Sequence, residues 1–193
     1  MNIQRSDTPP DTLKRHKITY DEYLKYWSEY LHRVCEKTEL LDGVIHEIPA
    51  DGPLTIEWNN SLTDWLYASL PASVRVTVDK TLRLSAAWAP TPDFYLYPDG
   101  TPIADLQPRD IPLIIEVSNT TLTYDLGGKA DTYARHGIRE YWVIDPNSKT
   151  LYAHQLGEDG VYGEPAEIGF TDTITAKHIP GLTLRMADLP RMS

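Results

Sequence analysis

Two carboxylates and a lysine carry the chemistry this sequence could do. Glu116 stands inside Pro112-Leu113-Ile114-Ile115-Glu116-Val117-Ser118, an otherwise apolar run. A carboxylate there is costly unless it is paired, bound to a metal or at the wet end of its strand. Asp93 opens a second apolar run, Pro92-Asp93-Phe94-Tyr95-Leu96. Lys129 falls on the helix predicted after Glu116, one turn beyond Asp125, so Asp125 and Lys129 share a face. These are the raw parts of a metal-dependent phosphodiester hydrolase. Mg²⁺ needs only one or two protein carboxylates, with water and substrate phosphate filling the remaining positions. Asp93 and Glu116 fit that role if their strands are neighbours, and the backbone carbonyl of Val117 could be a third ligand. An ion so held activates water and offsets charge on the scissile phosphate. Lys129 could orient or help deprotonate the water, or stabilise the pentacovalent phosphate. Plainer readings stand beside each. Asp125 and Lys129 could be a surface pair worth a few tenths of a kcal/mol. Asp93 could be turn chemistry. Glu39, opening a strand, could be a further metal-site group or a solvated strand end.

Other chemistries find less support. The six histidines, at 16, 32, 46, 136, 154 and 178, show no metal-ligand spacing, which argues against zinc. Ser118 has no histidine at triad spacing and no Gly-x-Ser-x-Gly elbow. Gly127-Gly128-Lys129 lacks the earlier glycine and the Ser/Thr of a phosphate-cradling loop. Inside a helix each of those glycines costs about 1 kcal/mol relative to Ala. Either the helix starts later, or its first turn sits close against a backbone or a bound phosphate. The formal net charge of −10 argues against coating nucleic acid by bulk electrostatics. It leaves a nuclease open, because acidic groups around a bound ion can form a locally neutral or positive cleft. The lone Cys35 forms no internal disulfide and reads as a small core residue. No run approaches the roughly 18 apolar residues of a membrane span. Met1 to Lys17 is polar, with no apolar signal core, so a cytoplasmic location is expected.

The elements that must position these groups follow from periodicity. Residues 1–17 read as a flexible arm, and 18–193 as a single domain. Thr19 and Glu22 form a capping box for a helix expected to end near Cys35, with a buried stripe of Tyr23, Leu24, Trp27, Leu31 and Val34. Asp42-Gly43 sits between apolar pairs and predicts a type I′ hairpin. Pro53 to Leu70 predicts a second helix, opened by proline and closed by Pro71. Val74, Val76 and Val78 alternate with polar residues, and Leu82 and Leu84 resume after a turn, predicting a two-strand meander. Asp93 to Tyr97 is a short strand, and 101–111 a Pro-rich exposed loop. Leu113 to Val117 lacks alternation, as expected of a strand covered on both faces. Residues 123–136 form a helix with Gly137 at its C′ position, and Tyr141 to Ile144 the next central strand, parallel to the first. Thr150 to Gln155 is a strand that Val161 to Ala166 could rejoin, and a last short element covers 179–184. The order predicts an α/β fold: a mixed central sheet flanked by helices, with an N-terminal helix and β-hairpin.

Several of these residues also carry a resemblance. Glu39-Leu40-Leu41-Asp42-Gly43, Pro92-Asp93, Ile115-Glu116-Val117-Ser118, and the run from Asp125 and Lys129 through Tyr133, Gly137 and Glu140-Tyr141-Trp142 to Asp145-Pro146 resemble the Uma family of putative restriction endonucleases. That family is a branch of the PD-(D/E)xK nuclease superfamily. The resemblance covers roughly residues 18–190. It implies a restriction-endonuclease-like core, metal ligation by Asp93 and Glu116, a supporting role for Glu39, Mg²⁺ or Mn²⁺ as cofactor, DNA as substrate and a homodimer, alongside the absence of a membrane span already read from hydropathy. The superfamily usually has lysine two residues after the glutamate, where this sequence has Ser118. The resemblance implies that the lysine has moved to the following helix, as Lys129. The second helix departs from the family by lacking a histidine near its start, where Thr55 and Ile56 stand. The competing expectation is a nuclease-like fold kept as a non-catalytic module for nucleic-acid or protein interaction. A third is a purely structural α/β protein.

Overall fold

In the computed structural model, which describes residues 17–33, 35 and 37–191, one six-stranded sheet carries the site. Helix α1 spans Tyr20–Glu29. Strands β1 (Thr38–Leu41) and β2 (Val44–Glu47) make a hairpin, and helix α2 spans Pro53–Ser69. The sheet strands follow: β3 (Val74–Val78), β4 (Phe94–Pro98) and β5 (Leu113–Val117). A helix then runs as α3 (Leu122–Tyr124), a π turn over Asp125–Lys129, and α4 (Ala130–Arg135). Strands β6 (Glu140–Asp145), β7 (Thr150–Gln155) and β8 (Ala166–Ile168) complete the sheet, in the order β3-β4-β5-β6-β7-β8. Among the described residues only β5 and β6 pair in parallel. The helical crossover between them makes that possible, since parallel neighbours cannot be joined by a tight turn. A second small ribbon pairs β9 (Thr173–Thr175) with β10 (Thr183–Arg185). The architecture is the mixed, helix-flanked α/β sheet that the sequence predicts.

Period-two alternation splits the sheet's side chains between two cores. Leu113, Ile115, Trp142 and Ile144 point to the face covered by Trp58, Leu62 and Leu66 of α2, and by Leu182, Leu184 and Met186 near the C-terminus. Burying each of the three α2 side chains contributes about 1.5–3 kcal/mol. Tyr95, Ile114, Tyr141 and Val143 point to the other face, under Ala130 and Tyr133 of α4. Glu140 shares the face of Trp142 and Ile144, where it is buried, and among the described residues no ion pair reaches it. Its carboxylate accepts from the Trp142 indole at 2.8 Å and from the Lys177 amide at 2.9 Å, tying the C-terminal segment to β6.

Local signals hold in several places. The Glu22 amide bonds the Thr19 hydroxyl at 3.3 Å, and the Glu22 carboxylate accepts from the Thr19 amide at 2.8 Å, closing the capping box. Asp42 and Gly43 both take positive φ, 50° and 74°, as a type I′ turn requires. Gly137 (φ 81°) ends the helix at C′.

Other expectations are corrected. Helix α1 stops at Glu29, followed by a short 3₁₀ turn at Leu31–Arg33. Of its predicted stripe Tyr23 is buried, while Leu24 is 44% exposed and Trp27 and Leu31 are half-covered. The helix lies against the hairpin end, where one buried cluster of Tyr23, Leu40 and Ala89 needs covering, and no sheet face remains for a full stripe. Val34 and residues 1–16 of the expected arm lie outside the described residues. Cys35 is half-buried outside any helix rather than in a core. Leu82 and Leu84 are buried but form no strand. Their amides bond Pro90 and Trp88 carbonyls inside one long loop, so the partner of β3 is β4. The 101–111 loop contains two 3₁₀ turns and buries Ile111. The return to β7 is made by β8 at 166–168, while residues 161–165 contribute only a Leu156–Tyr162 bridge.

Candidate active site

Asp93 and Glu116 meet because β4 and β5 are antiparallel neighbours. Phe94 pairs with Ile115, so the next step of the register sets Asp93 opposite Glu116 at the strand ends. The Val117 amide donates to Asp93 Oδ2 at 2.8 Å and fixes that carboxylate to the end of β5. Among the described residues no donor reaches Oδ1. Burial raises the Asp93 carboxyl above its ordinary range, opposed by the Val117 amide, Lys129 and Lys37.

Glu116 is 6% exposed and fully engaged. The Lys129 ammonium donates to Oε2, and the Tyr133 hydroxyl donates to Oε1 at 2.8 Å. Both partners are donors, which is what an ionised carboxylate accepts. Burial pushes Glu116 up to about 8, with Lys129 pulling it back and Asp125 and Asp93 pushing further. Burial also works against the Lys129 charge, but the Glu116 and Asp125 carboxylates outweigh it and hold the ammonium above the ordinary lysine range. The contact is an ion pair, and the raised glutamate records what burial costs it. The reading of Asp125–Lys129 as a surface pair is overturned, since both residues are at least nine-tenths buried.

The π turn places this machinery. Asp125, Lys129 and Tyr133 recur at helical spacing and share the face that packs on β5. Ser118, where the resemblance would put a lysine, donates to Asp125 Oδ2 at 2.6 Å, and Thr121 donates to the same oxygen at 2.5 Å. Asp125 Oδ1 then lies 3.6 Å from Lys129 Nζ. Ser118 and Thr121 therefore orient the carboxylate that flanks the lysine. The helix does not start later than the Gly127-Gly128 pair, since it already runs from Leu122, and the pair lies within its π turn rather than its first turn, with no backbone of another element against either glycine among the described residues. π turns inside helices recur at functional sites.

A cleft of about 520 Å³ opens over these groups. The β1–β2 hairpin forms one wall with Glu39 and His46, which pair across its strands. Glu39 accepts weakly from the Thr91 amide, at 3.4 Å. Thr55 at the start of α2 and Asn119, Thr121 and Tyr124 after β5 form the rest. The lining is acidic: Glu39, Glu47, Asp51, Asp93, Glu116 and Asp125 face only Lys37 and Lys129 as basic groups. Lys37 is itself paired with Asp79. The geometry thus gathers Glu39, Asp93, Glu116, Val117, Asp125 and Lys129 at one place. Sequence reasoning missed Tyr133, Thr121, Tyr124 and His46. Tyr133 had a usable signal, one turn beyond Lys129 on the same face.

The donor set fits a hard divalent cation. Asp93 has a free oxygen, and each Glu116 oxygen keeps a lone pair beyond its present donor. Both are oxygen ligands of the kind Mg²⁺ and Mn²⁺ take, alongside the Val117 carbonyl. Among the described residues no three His, Cys, Asp or Glu side chains form a metal-holding group, so water and substrate oxygens would have to complete the shell.

Comparison with known proteins agrees with this architecture. A crystal structure of a putative nuclease belonging to DUF820 from Anabaena variabilis ATCC 29413 superposes with a TM-score of 0.66. The two are 17% identical, and the match covers 89% of this chain and 96% of that one. No curated protein matches the chain in sequence. The family model described as "Putative restriction endonuclease" matches residues 27–187, spanning the hairpin, both cleft walls and the strand–helix–strand unit. The chain accordingly belongs to the Uma2 family.

Proposed function

We propose that the chain is an endonuclease that hydrolyses DNA phosphodiester bonds with a divalent cation, Mg²⁺ or Mn²⁺. The observation that carries this reading is the buried Glu116–Lys129 ion pair beside Asp93, at the floor of an open cleft. A structural protein gains little from such a pair, because desolvation offsets much of its attraction. Family membership supports the same direction.

Asp93, Glu116 and the Val117 carbonyl would hold the cation. Bound there, it supplies Lewis-acid stabilisation and a more acidic water. The residues of the chain do the rest. Lys129 stays protonated in the company of two carboxylates, which suits it to donate to a phosphate oxygen and makes it a poor general base. Tyr133 holds the Glu116 carboxylate in place, and Ser118 and Thr121 hold Asp125 beside the lysine. In the reaction a water oxygen bonds to phosphorus and gives up a proton to solvent or a phosphate oxygen, while the bond from phosphorus to the leaving oxygen breaks with its electron pair on that oxygen, which takes a proton from solvent. Cutting both strands of a duplex calls for two such sites, hence a homodimer, and the same reading places the protein in the cytoplasm.

A second reading is a non-catalytic interaction module, favoured by the net charge of −10 and the acidic cleft. Supercoiled and linear DNA, incubated in Mg²⁺ or Mn²⁺, separate the two. The wild type is expected to nick or cut, and Asp93→Asn and Lys129→Ala to lose at least 100-fold, roughly the 3 kcal/mol of one transition-state contact. Cleavage surviving both substitutions would remove the assigned site. Absence of cleavage in either metal, with no metal binding by calorimetry, would favour the module.

A further inference from the structure

We infer that Tyr124 is a substrate-contact residue, its hydroxyl donating to a phosphate of the nucleic-acid strand lying in the cleft; this rests on the nuclease reading above. Tyr124 ends α3, lines the cleft and is 43% exposed. A ring that exposed gains little as core. Among the described residues its hydroxyl has no hydrogen-bond partner. Tyr124 shares the cleft lining with Glu39 of the hairpin and with Asp93 and Glu116, the carboxylates that would hold the cation, so a strand bound over them passes it.

The ring also packs against the π turn: a Cβ at Gly128 would come to 3.4 Å from Tyr124 Cε2, an ordinary contact, whereas one at Gly127 would meet nothing within 4 Å. This packing sets Tyr124 beside the turn that carries Lys129. The chemistry also suits an acidic cleft. A neutral hydroxyl donor adds a phosphate contact without adding to the strongly paired charges already there. A phenol also brings a flat apolar face, so base stacking is the alternative contact that the test must separate.

The test compares Tyr124→Phe and Tyr124→Ala with wild type in two assays. One is the initial rate of cleavage of a plasmid in Mg²⁺. The other is the affinity for a fluorescein-labelled oligodeoxynucleotide in Ca²⁺, read by anisotropy. Loss of one hydrogen bond to a charged phosphate predicts that both variants fall roughly 10-fold in kcat/KM. Their affinity should fall in parallel and their melting temperatures stay at the wild-type value. A phenylalanine variant that matches wild type while the alanine variant is weak would overturn the hydroxyl contact in favour of stacking. Two variants that bind and cut like wild type would overturn any contact. If the wild type binds the oligonucleotide but cuts nothing, the nuclease reading fails alone, and the anisotropy of Tyr124→Phe still decides: weakened binding upholds the contact, unchanged binding overturns it. A wild type that neither binds nor cuts overturns both.

Discussion

Removing the Lys129 ammonium would leave Glu116 buried with a single phenol as donor. Breaking one side of a buried ion pair costs about 3–5 kcal/mol, because the remaining charge stays desolvated. Lys129→Met should therefore lower stability by about that amount, and Glu116→Gln combined with it should recover most of the loss. The loss has a sign in pH. Glu116 has an ordinary value near 4.5 and is pushed to about 8 in the fold, so the folded chain holds the proton more tightly than the unfolded one. Without Lys129 pulling the other way, that difference grows. The stability such a group lends is fully present below 4.5 and is lost as pH rises through the folded value. Lys129→Met should accordingly follow the wild-type slope up to about 8 and fall further behind above it, so it should lie closer to wild type at pH 6 than at about pH 9.5, and the double variant should lose this divergence. Urea melts at the two pH values decide the matter. A single variant equally destabilised at both would mean that the proton, rather than the ion pair, already neutralises Glu116 in the wild type.

At the scale of elements, the π turn is where sequence and structure part most instructively. Asp125 and Lys129 were legible as one-face neighbours from spacing alone. The widened turn between them was not, because glycine in a helix signals weakness without saying what form it takes. The same limit explains α1, whose stripe of Leu24, Trp27 and Leu31 has helical period but lacks a surface to bury it. It explains Leu82 and Leu84 as well, whose alternation marks burial inside a loop rather than a ladder. Periodicity reports which side is apolar; only the tertiary partner decides the backbone. The glycines make the point testable. Gly127→Ala enters open space on a helical backbone, so it should raise stability by about 0.5–1 kcal/mol and leave cleavage unchanged. Gly128→Ala gains the same backbone term and brings a methyl group only into ordinary contact with the half-exposed Tyr124 ring. It should likewise raise stability and leave cleavage unchanged. Urea titration and initial rates on both variants check this. A Gly127→Ala chain destabilised by more than about 1 kcal/mol would show that the π turn needs glycine for its own conformation.

At the scale of the molecule, the strand–helix–strand unit, its parallel pairing and the short strand β4 were readable because they lie in continuous apolar runs, while the antiparallel direction of β4 came only with the fold. The pairing of β9 with β10 was not readable, since these strands are three residues long and each turns a single apolar side chain inward, Ile174 partly and Leu184 fully buried. The cleft itself was invisible, because its walls come from the hairpin, α2 and the β5 loop, which are far apart in the chain. What the assembled cleft adds is charge. Six carboxylates face two lysines, and one of those lysines is already paired with Asp79, outside that lining. Like charges so gathered destabilise the fold that gathers them, and an ion that binds only the folded cleft relieves this. At about 100 times its Kd, such an ion contributes about 2.7 kcal/mol. For a domain of this size that is a rise of roughly 5–10 °C in melting temperature. Calorimetric melts in Mg²⁺ or Mn²⁺ should show that rise over KCl of equal ionic strength, and EDTA should reverse it. Asp93→Asn should abolish it while Glu47→Gln, also in the acidic lining but at the end of the hairpin strand β2, should keep most of it. A rise that Asp93→Asn leaves intact would place the ion elsewhere in the cleft, and the absence of any rise in wild type would mean that the carboxylates are balanced by Lys129 and solvent alone.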